Sequence, residues 1–393
     1  MAQRFSAYTI VQRCREMLLP SACALVMYFS STAIHAAESA VDFEPAHQAA
    51  SALPRLHSLL ISHRGELVLE RYYQGARADR PANMKSASKT VISALVGIAL
   101  DRGLLKGLDQ PIGEFFPQEL AGDENSVRRA ITIEDLLTMR AGLESTSNRN
   151  YGNWVLSSNW VAHALSRPLV ADPGTDMIYS TGSTHLLSAI LAKVSGTSTK
   201  QFAEQALARP MGFGMAYWPT DPQGIHFGGN DMEMTPRQML AFGELYNNAG
   251  RANGRLSGAA EGRQVISEQW VNESLQIRTP SPRGEGRFYG YGWWYRELAD
   301  HDAYFAWGYG GQFIFVIREL DLVVAVTSDS LPGDSRRGHL DRVYDLVEQH
   351  IVTPLAASAP LPSRVSSATP SATPSALPSA AFSDVAARTH HGI

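Results

Sequence analysis

Cysteine is nearly missing from this chain: two in 393 residues, Cys14 and Cys23, both close to the amino terminus. A protein cleaved behind them has no disulfide and no thiolate chemistry. Lysine is scarce as well, with five: Lys85, Lys89, Lys106, Lys193 and Lys200. Neither sign of charge is in excess. The formal net charge is -4, charged residues make up 18%, and there is no basic stripe, so nucleic acid is not an expected partner. Beyond the first segment no apolar run reaches the length of a membrane span, about 18 residues, so no downstream transmembrane helix is expected. H-E-x-x-H, G-x-S-x-G and G-x-x-x-x-G-K are absent, which removes support for a zinc protease, an α/β-hydrolase or a P-loop enzyme. His163, His185, His226 and His301 do not have metal-ligand spacing, and no metal or other cofactor is expected. Repeats of solenoid type are also missing.

What is present begins with a targeting pattern. Arg4, Arg13 and Arg15 precede a mostly apolar stretch from Met17 to Ser30, and small residues follow at Ala33, Ala36 and Ala37. That layout is read as a secretory signal over residues 1–37, which predicts a secreted or periplasmic protein. An uncleaved membrane anchor is the alternative, disfavoured by the short apolar core interrupted at Pro20 and Ser21. At the other end, residues 353–393 are rich in Ala, Pro and Ser without apolar periodicity, and a disordered tail is expected there. His390 and His391 lie in that tail, and two adjacent histidines there are read as inert.

Ser86 stands three residues before Lys89, and no other lysine has a serine at that spacing. An apolar run from Val91 to Leu100 follows, then Gly103, which reads as a buried helix beginning at the serine. On a helix i and i+3 share a face, so the hydroxyl and the amine can meet. Free N–H groups of the first turn favour an oxyanion beside Ser86. An amine in an apolar wall loses basicity and can take a proton near neutrality. Alone, the pattern also fits a helix cap followed by a surface lysine.

Strands are expected at both ends of the chain. Leu59–Ser62 and Glu66–Tyr73 flank a turn at His63-Arg64-Gly65, and four aromatic or β-branched runs, Phe288–Tyr295, Ala303–Trp307, Gln312–Ile317 and Leu322–Thr327, follow towards the other end. A last helix is expected from about Asp334 to Ile351. The middle carries three capped helix starts, at Thr132, Ser198 and Thr235. The economical solution is α+β: an antiparallel sheet from segments 45–85 and 285–352, flanked by helices, with a mainly α-helical part over 86–284 inserted. Together, residues 38–352 would form the folded domain.

A serine nucleophile with a lysine partner needs a second acid/base, an oxyanion hole and a substrate wall. Tyr179-Ser180-Thr181 sits in a Gly-rich turn before a helix, and Trp307-Gly308-Tyr309-Gly310-Gly311 leads into a strand. Glycines at a strand start allow close backbone approach. Trp154, Trp160, Trp293, Trp294 and Trp307 could line an apolar acyl pocket, although aromatics of this kind are more often core.

Ser86-x-x-Lys89, Tyr179-Ser180-Thr181 and Gly308-Tyr309-Gly310, in this order, resemble the three motifs of the serine β-lactamase and penicillin-recognising superfamily. The class C-like branch, with its esterases and 6-aminohexanoate-dimer hydrolases, is the most similar. The resemblance spans roughly Leu56 to Ile351. It implies the β-lactamase-like fold and an acyl-enzyme on Ser86, with Lys89 and Tyr179 sharing the proton work. It also implies an oxyanion hole from the N–H groups of Ser86 and Gly311, with Thr181, Tyr309 and Gly310 near the substrate. Two departures bear on specificity. Thr181 replaces the usual Asn or Ser, and Gly308 stands where β-lactamases carry the lysine that binds a carboxylate. A small neutral ester or amide is therefore the expected substrate. A β-lactamase or DD-peptidase using the same machinery, and a non-catalytic binding protein of this fold, are the alternatives. Oligomeric state is left open.

Overall fold

Two stretches of this chain, Gln312–Ile317 and Leu322–Ser328, are buried at every position. A strand can bury both of its faces only when it lies inside a sheet covered on both sides. The computed structural model describes residues 41–122, 126–282, 284–331 and 337–358. The expected signal segment and the expected tail from residue 359 onward lie outside the described residues.

The strands are β1 (Leu56–His63), β2 (Glu66–Tyr72), β3 (Ala82–Asn83), β4 (Glu233–Met234), β5 (Thr279–Pro280), β6 (Phe288–Tyr289), β7 (Trp294–Leu298), β8 (His301–Gly308), β9 (Gln312–Ile317) and β10 (Leu322–Ser328). Among the described residues, eight of them form one sheet in the order β2-β1-β10-β9-β8-β7-β6-β5, with antiparallel pairing throughout. β3 and β4 make a separate two-stranded ladder. The first hairpin turns at Arg64 and Gly65, both in the left-handed region, as a two-residue turn between right-twisted strands requires.

Alternation along the strands divides the core in two. Ile314, Val316, Val323 and Ala325 face helices Ser88–Asp101 and Pro236–Asn247 and the rest of the helical part. Phe313, Phe315, Val324 and Val326 face the other way, onto helices Glu44–Ser51 and His339–Val347. The period of two in the strands thus feeds two separate cores from one ribbon. The architecture is the expected α+β one, and the described residues fall in a single compact unit.

Three details differ from expectation. The sheet is joined from Thr279 on, before the expected boundary at 285, through the short strand β5. The run Phe288–Tyr295 is two strands, because Gly290 N–H bonds to the Trp293 carbonyl at 2.8 Å and closes a turn between them. Thr353–Ser358, expected to open the tail, is helical and buries Leu355 against the outer core, an apolar contact that composition conceals. The three helix caps form as expected, with Thr132 and Thr235 in reciprocal capping boxes and Ser198 accepting from Gln201 N–H.

Candidate active site

The site is built where the first helix behind the hairpin meets the open end of β8. Met84 N–H bonds to the Met232 carbonyl at 2.8 Å, extending the β3–β4 ladder by one residue. Lys85 then takes a left-handed backbone, φ 51°. Its N–H bonds to Asn83 Oδ1 at 2.9 Å and its amine pairs with Asp231 at 2.8 Å, so the unusual conformation is braced from both ends. The chain continues as a tight 3-10 turn, Lys85–Ala87, and the α-helix proper starts at Ser88. Ser86 therefore lies inside this turn rather than at the first residue of the α-helix.

The i, i+3 relation survives the change. Lys89 Nζ lies 3.2 Å from Ser86 Oγ, 3.4 Å from Thr181 Oγ1 and 2.6 Å from the Gly229 carbonyl oxygen. The lysine is 2% exposed. Its amine also stands 5.1 Å from the centroid of the Tyr179 ring. Tyr179 is stacked on Trp294 and meets Tyr289 edge-on, which fixes the ring plane. The structure thus brings Ser86, Lys89, Tyr179 and Thr181 into one cluster.

A segment not singled out in the sequence holds the second motif in place. Ser145 Oγ donates to the Tyr179 carbonyl at 2.6 Å, Ser180 Oγ accepts from Thr146 N–H at 3.1 Å, and Ser147 Oγ accepts from Thr181 N–H at 2.9 Å. Ser147 and Thr181 hydroxyls also lie 2.9 Å apart. Three consecutive hydroxyl residues were the available signal, because Ser and Thr side chains satisfy loop backbone locally.

The cluster opens into a cleft of about 550 Å³, lined among others by Lys85, Ser147, Tyr151, Asn230, Trp307, Tyr309 and Leu331. Tyr151, pushed up to about 12 by burial, keeps its proton and accepts from Asn230 Nδ2 at 2.7 Å. Trp307 reaches the cleft wall. Trp154, Trp160 and Trp293 are core, and Trp294 backs Tyr179 from behind.

Gly310 and Gly311 lie in the connection between β8 and β9. Gly311 N–H bonds to the Gly308 carbonyl at 3.2 Å, closing the β8–β9 turn. A Cβ on Gly311 would stand 3.0 Å from His339 and from Ser328, so the turn is pressed against the C-terminal segment. The glycine that meets the Ser86 turn is Gly308, where a Cβ would fall 2.1 Å from the Met84 carbonyl oxygen. Among the described residues no three His, Cys, Asp or Glu side chains form a metal-holding group, and no helix is long and apolar enough to cross a membrane.

A buried lysine beside a serine at the head of a helix, under a sheet of this order, defines a serine hydrolase. The chain belongs to the beta-lactamase family, whose model matches residues 57–349. Solved structures with the same fold include a Bacillus anthracis protein provisionally assigned as a 6-aminohexanoate-dimer hydrolase, 20% identical, TM-score 0.64, covering 76% of this chain and 80% of that one. A D-stereospecific amidohydrolase from Streptomyces sp. is 17% identical with TM-score 0.59, covering 78% of this chain and 98% of its own. A family VIII carboxylesterase is 17% identical with TM-score 0.58 over the same shares, 78% and 98%.

Proposed function

We propose that this chain is an exported serine hydrolase that forms an acyl-enzyme on Ser86 and hydrolyses small ester or amide substrates, with residues 1–37 as its secretory signal. The carrying observation is the sheltered Lys89 amine, 3.2 Å from the Ser86 hydroxyl. Ser86 Oγ attacks the acyl carbon and gives its proton to the Lys89–Tyr179 pair. The oxyanion forms beside the Ser86 N–H, then collapses and expels the alcohol or amine, which leaves with a proton from Tyr179. Water then attacks the acyl-enzyme carbonyl and gives a proton to the same pair, which passes it to Ser86 Oγ as the acyl–oxygen bond breaks and the acid leaves. Two groups this close titrate together, so the first proton acceptor is assigned to the pair.

The neutral-substrate preference rests on charge. Gly308, Tyr309 and Gly310 themselves carry no cation at the place where β-lactamases have a lysine. The amine that does line the cleft, on Lys85, is already paired with Asp231. A missing charge-assisted hydrogen bond weakens an anionic substrate by roughly 1.5–3 kcal/mol. Trp307, Tyr309 and Leu331 offer an apolar wall for the acyl or leaving group.

The test is turnover of p-nitrophenyl butyrate beside a chromogenic cephalosporin. The expected result is ester hydrolysis that disappears in Ser86→Ala, with little cephalosporin cleavage. Equal labelling of both proteins by a fluorophosphonate would remove Ser86 as the nucleophile. Fast cephalosporin turnover would reverse the substrate preference.

A further inference from the structure

His185 has no part in the chemistry above. It lies one turn beyond Thr181 on the Thr181–Ser195 helix and is wholly buried. Trp154, Trp160 and Phe227 surround its ring. Nε2 is 3.0 Å from Asp221 Oδ2, and neither side chain reaches solvent. Nδ1 lies 3.2 Å from the Gly228 backbone nitrogen and accepts its proton. A backbone N–H can only donate, so Nδ1 is bare, the proton sits on Nε2, and the ring is neutral. Asp221 uses its other oxygen to accept from the N–H groups of Gln223 and Ile225, at 2.8 and 2.9 Å. One buried carboxylate thus shapes its own loop and fixes the tautomer of the imidazole that grips the loop's far end.

That far end touches the lysine. Gly229, next after the gripped residue, accepts from Lys89 Nζ at 2.6 Å. There is no slack in this contact. A Cβ on Gly228 would stand 2.2 Å from the Thr184 carbonyl oxygen. One on Gly229, whose φ is +88°, would stand 2.7 Å from Lys89 Cγ.

We propose that His185 and Asp221 are positioning residues. They hold the Gly228–Gly229 segment, and through the Gly229 carbonyl they hold the Lys89 amine within reach of Ser86. They touch no substrate, and the proposal rests on Ser86 and Lys89 acting as described under Proposed function. The tautomer gives a sharp handle. In Asp221→Asn the amide oxygen must still serve the two loop N–H groups, which turns the amide NH₂ toward Nε2. The imidazole then has to carry its proton on Nδ1, donor against donor with Gly228, and the grip is lost.

The experiment measures fluorophosphonate labelling of Ser86 as a function of probe concentration, together with ¹⁵N NMR of the histidines. Wild type should show His185 neutral and protonated on Nε2. Asp221→Asn should move the proton to Nδ1. It should lower the maximal labelling rate on the order of 100-fold while leaving half-saturation nearly unchanged, since small misplacements act on the chemical step. His185→Phe, which keeps the ring in its aromatic cage, should lose rate in the same way. Wild-type rates in either folded variant, or a loss confined to half-saturation, would overturn the proposal. If both variants fail to fold, the wild-type spectrum decides: a charged ring or an Nδ1 proton rejects it. Absence of Ser86 labelling in the wild type would instead reject the nucleophile on which the proposal rests.

Discussion

A lysine ammonium has three protons to donate and nothing with which to accept. Around Lys89 stand Ser86 Oγ, Thr181 Oγ1 and the Gly229 carbonyl. The carbonyl can only accept, so one N–H is committed to it in either protonation state. As a neutral amine, Lys89 can keep a second N–H on Thr181 and offer its lone pair to the Ser86 proton. On the proposed mechanism Thr181 would help to orient the Lys89 amine toward Ser86. Thr181→Val should lower kcat on the order of tenfold or more with a smaller change in KM, because a hydrogen bond to a charged group is lost in the step itself. An unchanged kcat would reject this role. At this scale the sequence was readable where spacing alone decides, as for Ser86 and Lys89. It was not readable for the surroundings of Gly311, which packs on Ser328 and His339, 17 and 28 residues further along the chain. Nor could it reveal Ser147, whose partner lies 34 residues away.

Helices and strands follow their local signals more faithfully than site residues do. Thr235, Pro236 and Gln238 write a complete helix start, and the Pro236–Asn247 helix begins there. What local signals omit is how near elements approach one another. Gly243 lies in the middle of that helix, where alanine would be the better helix former by about 1 kcal/mol. A Cβ there would stand 2.5 Å from Val323 Cγ1 and 2.7 Å from Ile314 Cγ2, because the helix backbone rests directly on β9 and β10. Gly243→Ala should therefore destabilise the fold by roughly 1–3 kcal/mol of overpacking. A raised melting temperature would show that the helix has room to lift. The divided aromatic run at Phe288–Tyr295 belongs to the same class. Composition marked it as strand, and a turn at Gly290 settled where each piece pairs.

Across the whole molecule a single antiparallel sheet drawn from both ends of the chain was legible in the sequence, while its strand order emerged only in the structure and the two cores it separates were visible only as alternation. One buried acid reports on this interior. Glu244 is 1% exposed, and burial pushes its carboxyl up to about 7 from an ordinary 4.5. Between those values the folded state holds a proton that the unfolded state releases, so stability falls as pH rises through that window. His339 acts in the opposite sense. Burial lowers it to about 4 from 6.5, and its contribution is lost as pH falls below 6.5. Comparing melting of wild type and Glu244→Gln cancels the histidine. The variant should gain relative to wild type as pH rises from about 4.5 to 7, and a flat difference would contradict the buried, proton-bearing acid. The placement of β1 between β2 and β10 carries a consequence in time. Leu56 pairs with Ser328, so the partner of β1 leaves the ribosome some 270 residues later. At about 5–20 residues per second that is a wait of tens of seconds. Throughout it, one long edge of the first hairpin is open to any other nascent strand. Translation speed and chaperone supply, rather than final stability, should therefore govern the yield of this protein.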